Sequence, residues 1–331
     1  MRRRLGSLAL VIGLTAVAAC STTSTASRDA LRALSVKATT TTEAPSPPTT
    51  APNCTNPTAS LRPQGPLPGP GALPGGSYMS VIQQRGRLIV GVDQNTLLFG
   101  YLNPASGQIE GFDIDMLRQV AKAIFGDDGK NQTTHLQFTA ISSAQRIPFV
   151  QNGTVDIVAD TMTINCARDT QVSFSSVYFN AGQRILVRDD STIKSSADLG
   201  GKRTCAAAGS TSIANVEDVN KTHASAPAIP VAVTDWTDCL VALQSGTIDA
   251  VSTDDTILAG LKAQDPHTQI VGDKFTQEPY GMAMKLDHPE FVRFVNSVLE
   301  RIRADGTWTA IWNRWLTPAP APAPPTATYR D

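Results

Sequence analysis

Arg168 stands in the stretch MTINCARDTQVSFS, residues 162–175, where its only acidic neighbour is Asp169. In an extended chain Asp169 would point the opposite way. A guanidinium presents two parallel donors in the geometry that a planar carboxylate accepts. Arg168 is therefore either a solvated surface charge or a ligand for something negative. The string AGSTS, residues 208–212, falls between a predicted strand and a predicted helix. Ser210, Thr211 and Ser212 would then offer hydroxyls and N–H groups at a helix N-terminus, which favours an anion and would equally serve as a plain N-cap. The run GRLIVGVD delivers Asp93 at the end of a predicted buried strand. Reaction chemistry is poorly provided for. His135, His223, His267 and His288 lie on predicted strand edges and loops, none beside a serine or cysteine of these motifs, so no general base is evident. Neither Cys-x-x-Cys nor His-x-x-x-His spacing occurs, so no metal site and no cofactor are expected.

The elements that must position these residues alternate. GFDIDMLRQVAKAIFG has Ile114, Leu117, Ala121 and Ile124 at helical spacing, with Gly126 where a C-cap would fall. HLQFTAI, VDIVAD, QRILVR, KRTCAAA, IPVAV and DAVSTD read as strands, with AQRIPFVQNGT, TSIANVEDVNK, WTDCLVALQSGT and DTILAGLKAQ as helices between them. The fold class is α/β with mostly parallel sheets. Two segments rhyme, RIPFVQNGTVDIVAD and CLVALQSGTIDAVST, each a helix ending in Gln-x-Gly-Thr before an apolar residue, Asp and a strand. Two similar lobes would meet at a cleft, and ligands of open α/β sheets bind at the carboxyl ends of strands.

The opening MRRRLGSLALVIGLTAVAAC has three arginines, a short apolar run and small residues before Cys20. That is the layout of a secretory signal peptide, residues 1–20, and VAAC resembles a bacterial lipobox that would leave Cys20 as a lipidated N-terminus. The chain is thus expected on the extracytoplasmic face of the membrane, held by lipid, with its bulk in water. Residues 21–77 and 317–331 are rich in Pro, Thr, Ser and Ala and are expected to be a disordered tether and tail. A net charge of -1 with dispersed basic residues argues against a nucleic-acid partner. In an exported chain the four cysteines after Cys20 can pair oxidatively. Three pairings are possible; proximity in the chain favours Cys205 with Cys239, leaving Cys54 with Cys166, and the former would close a loop worth roughly 4 kcal/mol on the chain-entropy model.

In order along the chain, GFDIDM, RIPFVQNGTVDIVADTMTINCARDTQVSFSSVYF, DLGGK with AGSTS, SGTIDAVSTDD, PYGMAM and DGTWTAIWNRW resemble the extracellular solute-binding proteins for polar amino acids, the lipoproteins of ABC importers, and most of all the glutamate/glutamine/aspartate binders. The resemblance implies a type II periplasmic-binding-protein fold: two α/β lobes joined by two crossing strands, near 179–182 and 278–281, closing over one amino acid. Lobe 1 would be residues 78–180 plus 280–316, and lobe 2 residues 181–279. It places the ligand's α-carboxylate on Arg168, completes the contacts with Thr161, Thr163, Ser210 and Thr211, and sets the α-ammonium on Asp254, with Asp255 as helix N-cap or the two in exchanged roles. Arg146 would read a side-chain carboxylate, while Asp93 could accept from an amide. The ligand would be Glu, Gln, Asp or Asn, the partner a membrane permease or, alternatively, a transmembrane sensor, and the activity binding rather than catalysis. The aromatic positions that often sandwich the ligand fall near Thr96 and Ser143, so either Phe99 or Tyr101 substitutes or the pocket is unusually polar. Trp308, Trp312 and Trp315, at helical spacing, are expected to pack the core.

Overall fold

A computed structural model describes residues 54–127, 133–222 and 226–331. Cys20, the signal segment and the tether up to residue 53 lie outside the described residues. Two five-stranded sheets organise the rest. In the first, the strand Leu88–Val92 lies between Leu136–Ala140 and Ile157–Val158, both parallel to it, and the sheet continues through Ala283–Met284 and Ser173–Phe174. The helix Phe112–Phe125 lays Ile114, Leu117, Ala121 and Ile124 against this sheet, all fully buried, and ends at Gly126 with φ 89°, a turn that glycine makes at little cost. Pro289–Ala304 and Thr307–Trp315 complete the lobe with Phe291, Val295 and Trp308 in its core. Trp308 is buried and donates its indole N–H to the Tyr178 carbonyl at 2.8 Å, while Trp312 stacks on Phe179, so this helix packs as expected.

The second sheet runs Ile229–Val233, Arg203–Ala207, Ala250–Asp254, Gln183–Arg188, Thr268–Val271. A Cys205–Cys239 disulfide ties its second strand to the helix Trp236–Gln244. Between the sheets the strands Phe179–Ala181 and Glu278–Tyr280 pair antiparallel, so the chain passes twice from one lobe to the other at one place. Each sheet is mixed rather than mostly parallel: two of its pairings are parallel and two antiparallel. The antiparallel strands are those next to the two crossings, where the chain enters or leaves a lobe against the direction of the βα repeats.

The edges of the globule depart from expectation. Residues 54–77 and 317–331 are part of the folded body. Ala59–Ser60 pairs parallel with Thr328–Tyr329. Buried Ser60 donates to the Phe174 carbonyl at 2.6 Å and accepts from Asn296 Nδ2 at 2.8 Å. Asp331 binds Arg62 and Arg293, Arg330 bridges to Asp169 at 2.8 Å, and a Cys54–Cys166 disulfide pins the start of the segment. Composition measures how much apolar area a segment can bury; here Leu61, Leu67 and Leu73 pack on the core of the first lobe, and strand pairing, ion pairs and a covalent link add to that packing.

Candidate functional site

The carboxyl ends of the strands and the loops after them converge on a pocket between the lobes. Arg146, Thr161, Thr163 and Arg168 line it from the first lobe, and Ser210, Thr211, Ser212, Thr253 and Asp254 from the second, with Trp236 and Ile257 as its apolar walls. Of the residues expected to touch the ligand, Arg146, Thr161, Thr163, Arg168, Ser210, Thr211 and Asp254 meet here, while Asp93, Asp255, Phe99 and Tyr101 do not.

Arg168 sits on a single helical turn, Cys166–Asp169, whose N-cap Asn165 accepts from the Arg168 amide at 2.9 Å. That cap turns the guanidinium inward, where only 8% of the residue is exposed. It donates to the Thr163 carbonyl at 2.7 Å and, across the cleft, to the Gly209 carbonyl at 3.2 Å. Arg146 opens the helix Arg146–Gln151 and donates to the carbonyls of Ser143 at 3.0 Å, Asp160 at 2.9 Å and Gly209 at 3.4 Å. Two cations from one lobe thus share one carbonyl of the other. Gly209 can serve there because φ is +77° and a Cβ would lie 2.7 Å from the Ala144 Cα. Burial, and then Arg146 nearby, pull the Arg168 guanidinium down to about 9, against Glu278, Asp254 and Asp160; it stays charged at neutral pH.

Asp254 ends the strand Ala250–Asp254 and faces the arginines. Its Oδ2 accepts from the Tyr280 hydroxyl at 2.6 Å, while its buried Oδ1 has no hydrogen-bond partner among the described residues. Burial foremost, then Glu278, push its carboxyl up to about 8. A buried carboxylate oxygen without a donor is costly unless something brings one. Asp255 is not the helix cap: Asp254 holds the N-cap position without capping by its side chain, and Asp255 instead accepts from the Gly182 amide at 3.1 Å and pairs with Lys274 at 3.0 Å. Thr161 has φ +41°, a left-handed conformation that costs a β-branched residue on the order of 1–3 kcal/mol. It is held there by the Asp113 carboxyl, which accepts from its amide at 2.8 Å and which burial raises to about 7.

Ser210 caps the helix Thr211–Thr222, accepting from the Ile213 amide at 3.3 Å while donating to the Ala207 carbonyl at 2.6 Å. Asp93 is occupied elsewhere. Its Oδ1 accepts from the Asn95 amide at 2.7 Å and its Oδ2 from Thr96 at 2.5 Å, so it closes its own turn instead of facing the pocket. Phe99 is fully buried against Phe112 and Phe179, and Tyr101 meets Glu110 and Trp315, so neither lines the cleft. The pocket's aromatic ring is Trp236, from the second lobe; its signal is a tryptophan opening a helix soon after a strand, the same kind of strand-to-helix junction as AGSTS but the next one along the chain. From sequence, Glu278 is expected only as part of a crossing. It is buried, accepting from Thr163 at 2.6 Å, Thr211 at 3.0 Å and Asn215 at 3.0 Å.

Among the described residues no cluster of His, Cys, Asp or Glu could hold a metal, and no helix is long and apolar enough to cross a membrane. Residues 88–318 match the bacterial extracellular solute-binding proteins, family 3, and the chain belongs to that family. It is 39% identical over 245 residues to the ABC transporter glutamine-binding protein GlnH of Bacillus subtilis, covering 73% of this chain and 86% of that one. The glutamate-binding protein GluB of Corynebacterium glutamicum is 34% identical over 243 residues, covering 71% and 79%. Among solved structures, an ancestral arginine-binding protein bound to glutamine superposes with a TM-score of 0.62 at 34% identity, over 70% of this chain and 98% of that one.

Proposed function

We propose that this family member captures a polar amino acid, Glu, Gln, Asp or Asn, in the pocket between its lobes and delivers it to the permease of an ABC importer. Its site is the outer face of the membrane, to which lipid on Cys20 would hold it. One observation carries the reading: Arg168 and Asp254 face the same buried pocket, and an Asp254 oxygen there lacks a donor. An α-amino acid supplies both complements, a carboxylate for the guanidinium and an ammonium for the carboxyl. Thr161, Thr163, Ser210 and Thr211 surround those two ends. Arg146, buried in the same wall, is the group best suited to a side-chain carboxylate or amide oxygen. Relatives named for glutamine and glutamate agree with a ligand of that size and polarity.

Capture is by hinge closure about the strand pair Phe179–Ala181 and Glu278–Tyr280. The bonds of Arg146 and Arg168 to the Gly209 carbonyl join the lobes and belong to the closed arrangement. Isothermal titration of the chain from residue 21 onward against the twenty amino acids tests the reading. Saturable binding of at least one of the four is expected, and no binding of any would overturn it. Cross-linking in membranes should recover a permease; a transmembrane sensor in its place would redirect the output without altering the pocket.

A further inference from the structure

Glu278 lies outside the pocket lining, yet both of its carboxyl oxygens are engaged by groups that lie on or behind that lining. The direction of each bond follows from a fixed starting point. Gln183 Nε2 must donate to the Ser212 carbonyl, at 3.1 Å, so its Oε1 faces Asn215. Asn215 Nδ2 therefore donates to Gln183 Oε1 at 2.8 Å and to Glu278 Oε1 at 3.0 Å. The other oxygen, Oε2, receives the Thr163 hydroxyl at 2.6 Å and the Thr211 hydroxyl at 3.0 Å. Thr211 also stands 3.4 Å from Thr163 Oγ1, so both hydroxyl protons lie inside this triangle. A hydroxyl has one proton and two lone pairs. What Thr163 and Thr211 can show the pocket is lone pairs alone.

We infer that Glu278 is a positioning residue that sets Thr163 and Thr211 as acceptors, so that this wall of the pocket selects the ligand's α-ammonium over any anionic or neutral group in its place. The inference rests on an amino acid occupying this pocket. A carboxylate presented to the two hydroxyls would meet lone pairs and go unsatisfied, while an ammonium has donors for Asp254 and for a threonine together. Glu278→Gln keeps the shape but brings an amide that can donate, which frees the hydroxyl protons to turn toward the pocket.

The test is titration of wild type and Glu278→Gln with L-glutamate, and with glutarate, its deaminated analogue, by competition, alongside the melting temperature of each unliganded protein. Glu278→Gln should bind glutamate at least tenfold more weakly, with glutarate unchanged or improved, so that the glutamate-to-glutarate ratio collapses by tenfold or more. Equal losses for both ligands, or a change in glutamate affinity below threefold, would overturn the inference. If glutarate is too weak to measure in either protein, the glutamate arm and a second pair decide. Thr211→Val should reproduce the loss and Thr211→Ser restore it, and a Thr211→Val protein that binds glutamate like wild type contradicts the inference. Wild type binding none of L-glutamate, L-glutamine, L-aspartate and L-asparagine would remove the underlying reading and this inference together, a result distinct from the others.

Discussion

Replacing Arg168 by alanine removes the guanidinium proposed to hold the α-carboxylate that every α-amino acid shares. The guanidinium is buried and already oriented by the Asn165 cap and the Thr163 carbonyl, so little ordering cost falls on the ligand. Truncating one partner of a buried, hydrogen-bonded charge pair costs about 2–5 kcal/mol, because the remaining charge is left without its complement. At 1.4 kcal/mol per decade, even the lower half of that range weakens binding by roughly 30- to 300-fold. Arg168→Lys, which keeps the charge but not the fork, should fall between the two. The unliganded protein should respond differently. Burial already depresses this guanidinium, so its removal relieves a desolvation cost that offsets the lost bonds to the Thr163 and Gly209 carbonyls. Titration of each variant with Glu, Gln, Asp and Asn, beside a thermal melt, reads both effects. A loss of similar size for all bound ligands, with a small change in melting temperature, is expected. A loss confined to Glu and Asp would place Arg168 on the side chain and refute the assignment.

Arg146→Ala should instead alter preference, weakening Glu and Asp more than Gln and Asn, whereas equal loss for all four would show that Arg146 does not read the side chain. Asp254 predicts proton linkage. Its carboxyl, raised to about 8 in the unliganded protein, becomes ionised against an ammonium, so binding below pH 8 releases a proton and affinity climbs by up to tenfold per unit from pH 6 to 8. Calorimetry in buffers of different ionisation enthalpy would detect this release, and Asp254→Asn should abolish it. For stability the sign is opposite: folded-state values of about 8 for Asp254 and 7 for Asp113 mean that these groups stabilise the unliganded fold most below pH 4. Their contribution is lost as pH rises toward 8, and a melt of the Asp254→Asn, Asp113→Asn double variant should show a flatter profile over that window. Reduction of Cys205–Cys239, which spans 34 residues within one lobe, should lower the melting temperature, with a loss of about 4 kcal/mol, and leave affinity within severalfold. A large affinity loss without a lower melting temperature would contradict that.

The alternation of strands and helices was readable because each element carries its own periodicity, as Ile114, Leu117, Ala121 and Ile124 do. Of the pocket residues, Arg168 was readable from its type only as a surface charge or an anion ligand, while Arg146 and Asp254 were reached through the family resemblance; all three line the pocket. Asp93 misled because its position after a strand is equally that of a turn-closing residue, and Asn95 and Thr96, which occupy it, carry no distinguishing pattern. Trp236 and Glu278 were hidden for another reason. Trp236 reaches the pocket itself, from a helix start that carries no mark of the cleft, and Glu278 meets Thr163 115 residues away, a meeting that no local spacing encodes. The folded ends were misjudged because ion pairs such as Arg330 with Asp169 depend on where the rest of the chain places the partner.

A crystal structure of the protein loaded with L-glutamate, or with whichever of the four amino acids it binds, tests the central claim most directly. The account predicts the α-carboxylate on the Arg168 guanidinium, with the ammonium donating to Asp254 Oδ1. An amino acid bound in the reverse sense, with its ammonium away from Asp254, or bound outside this pocket, would contradict it.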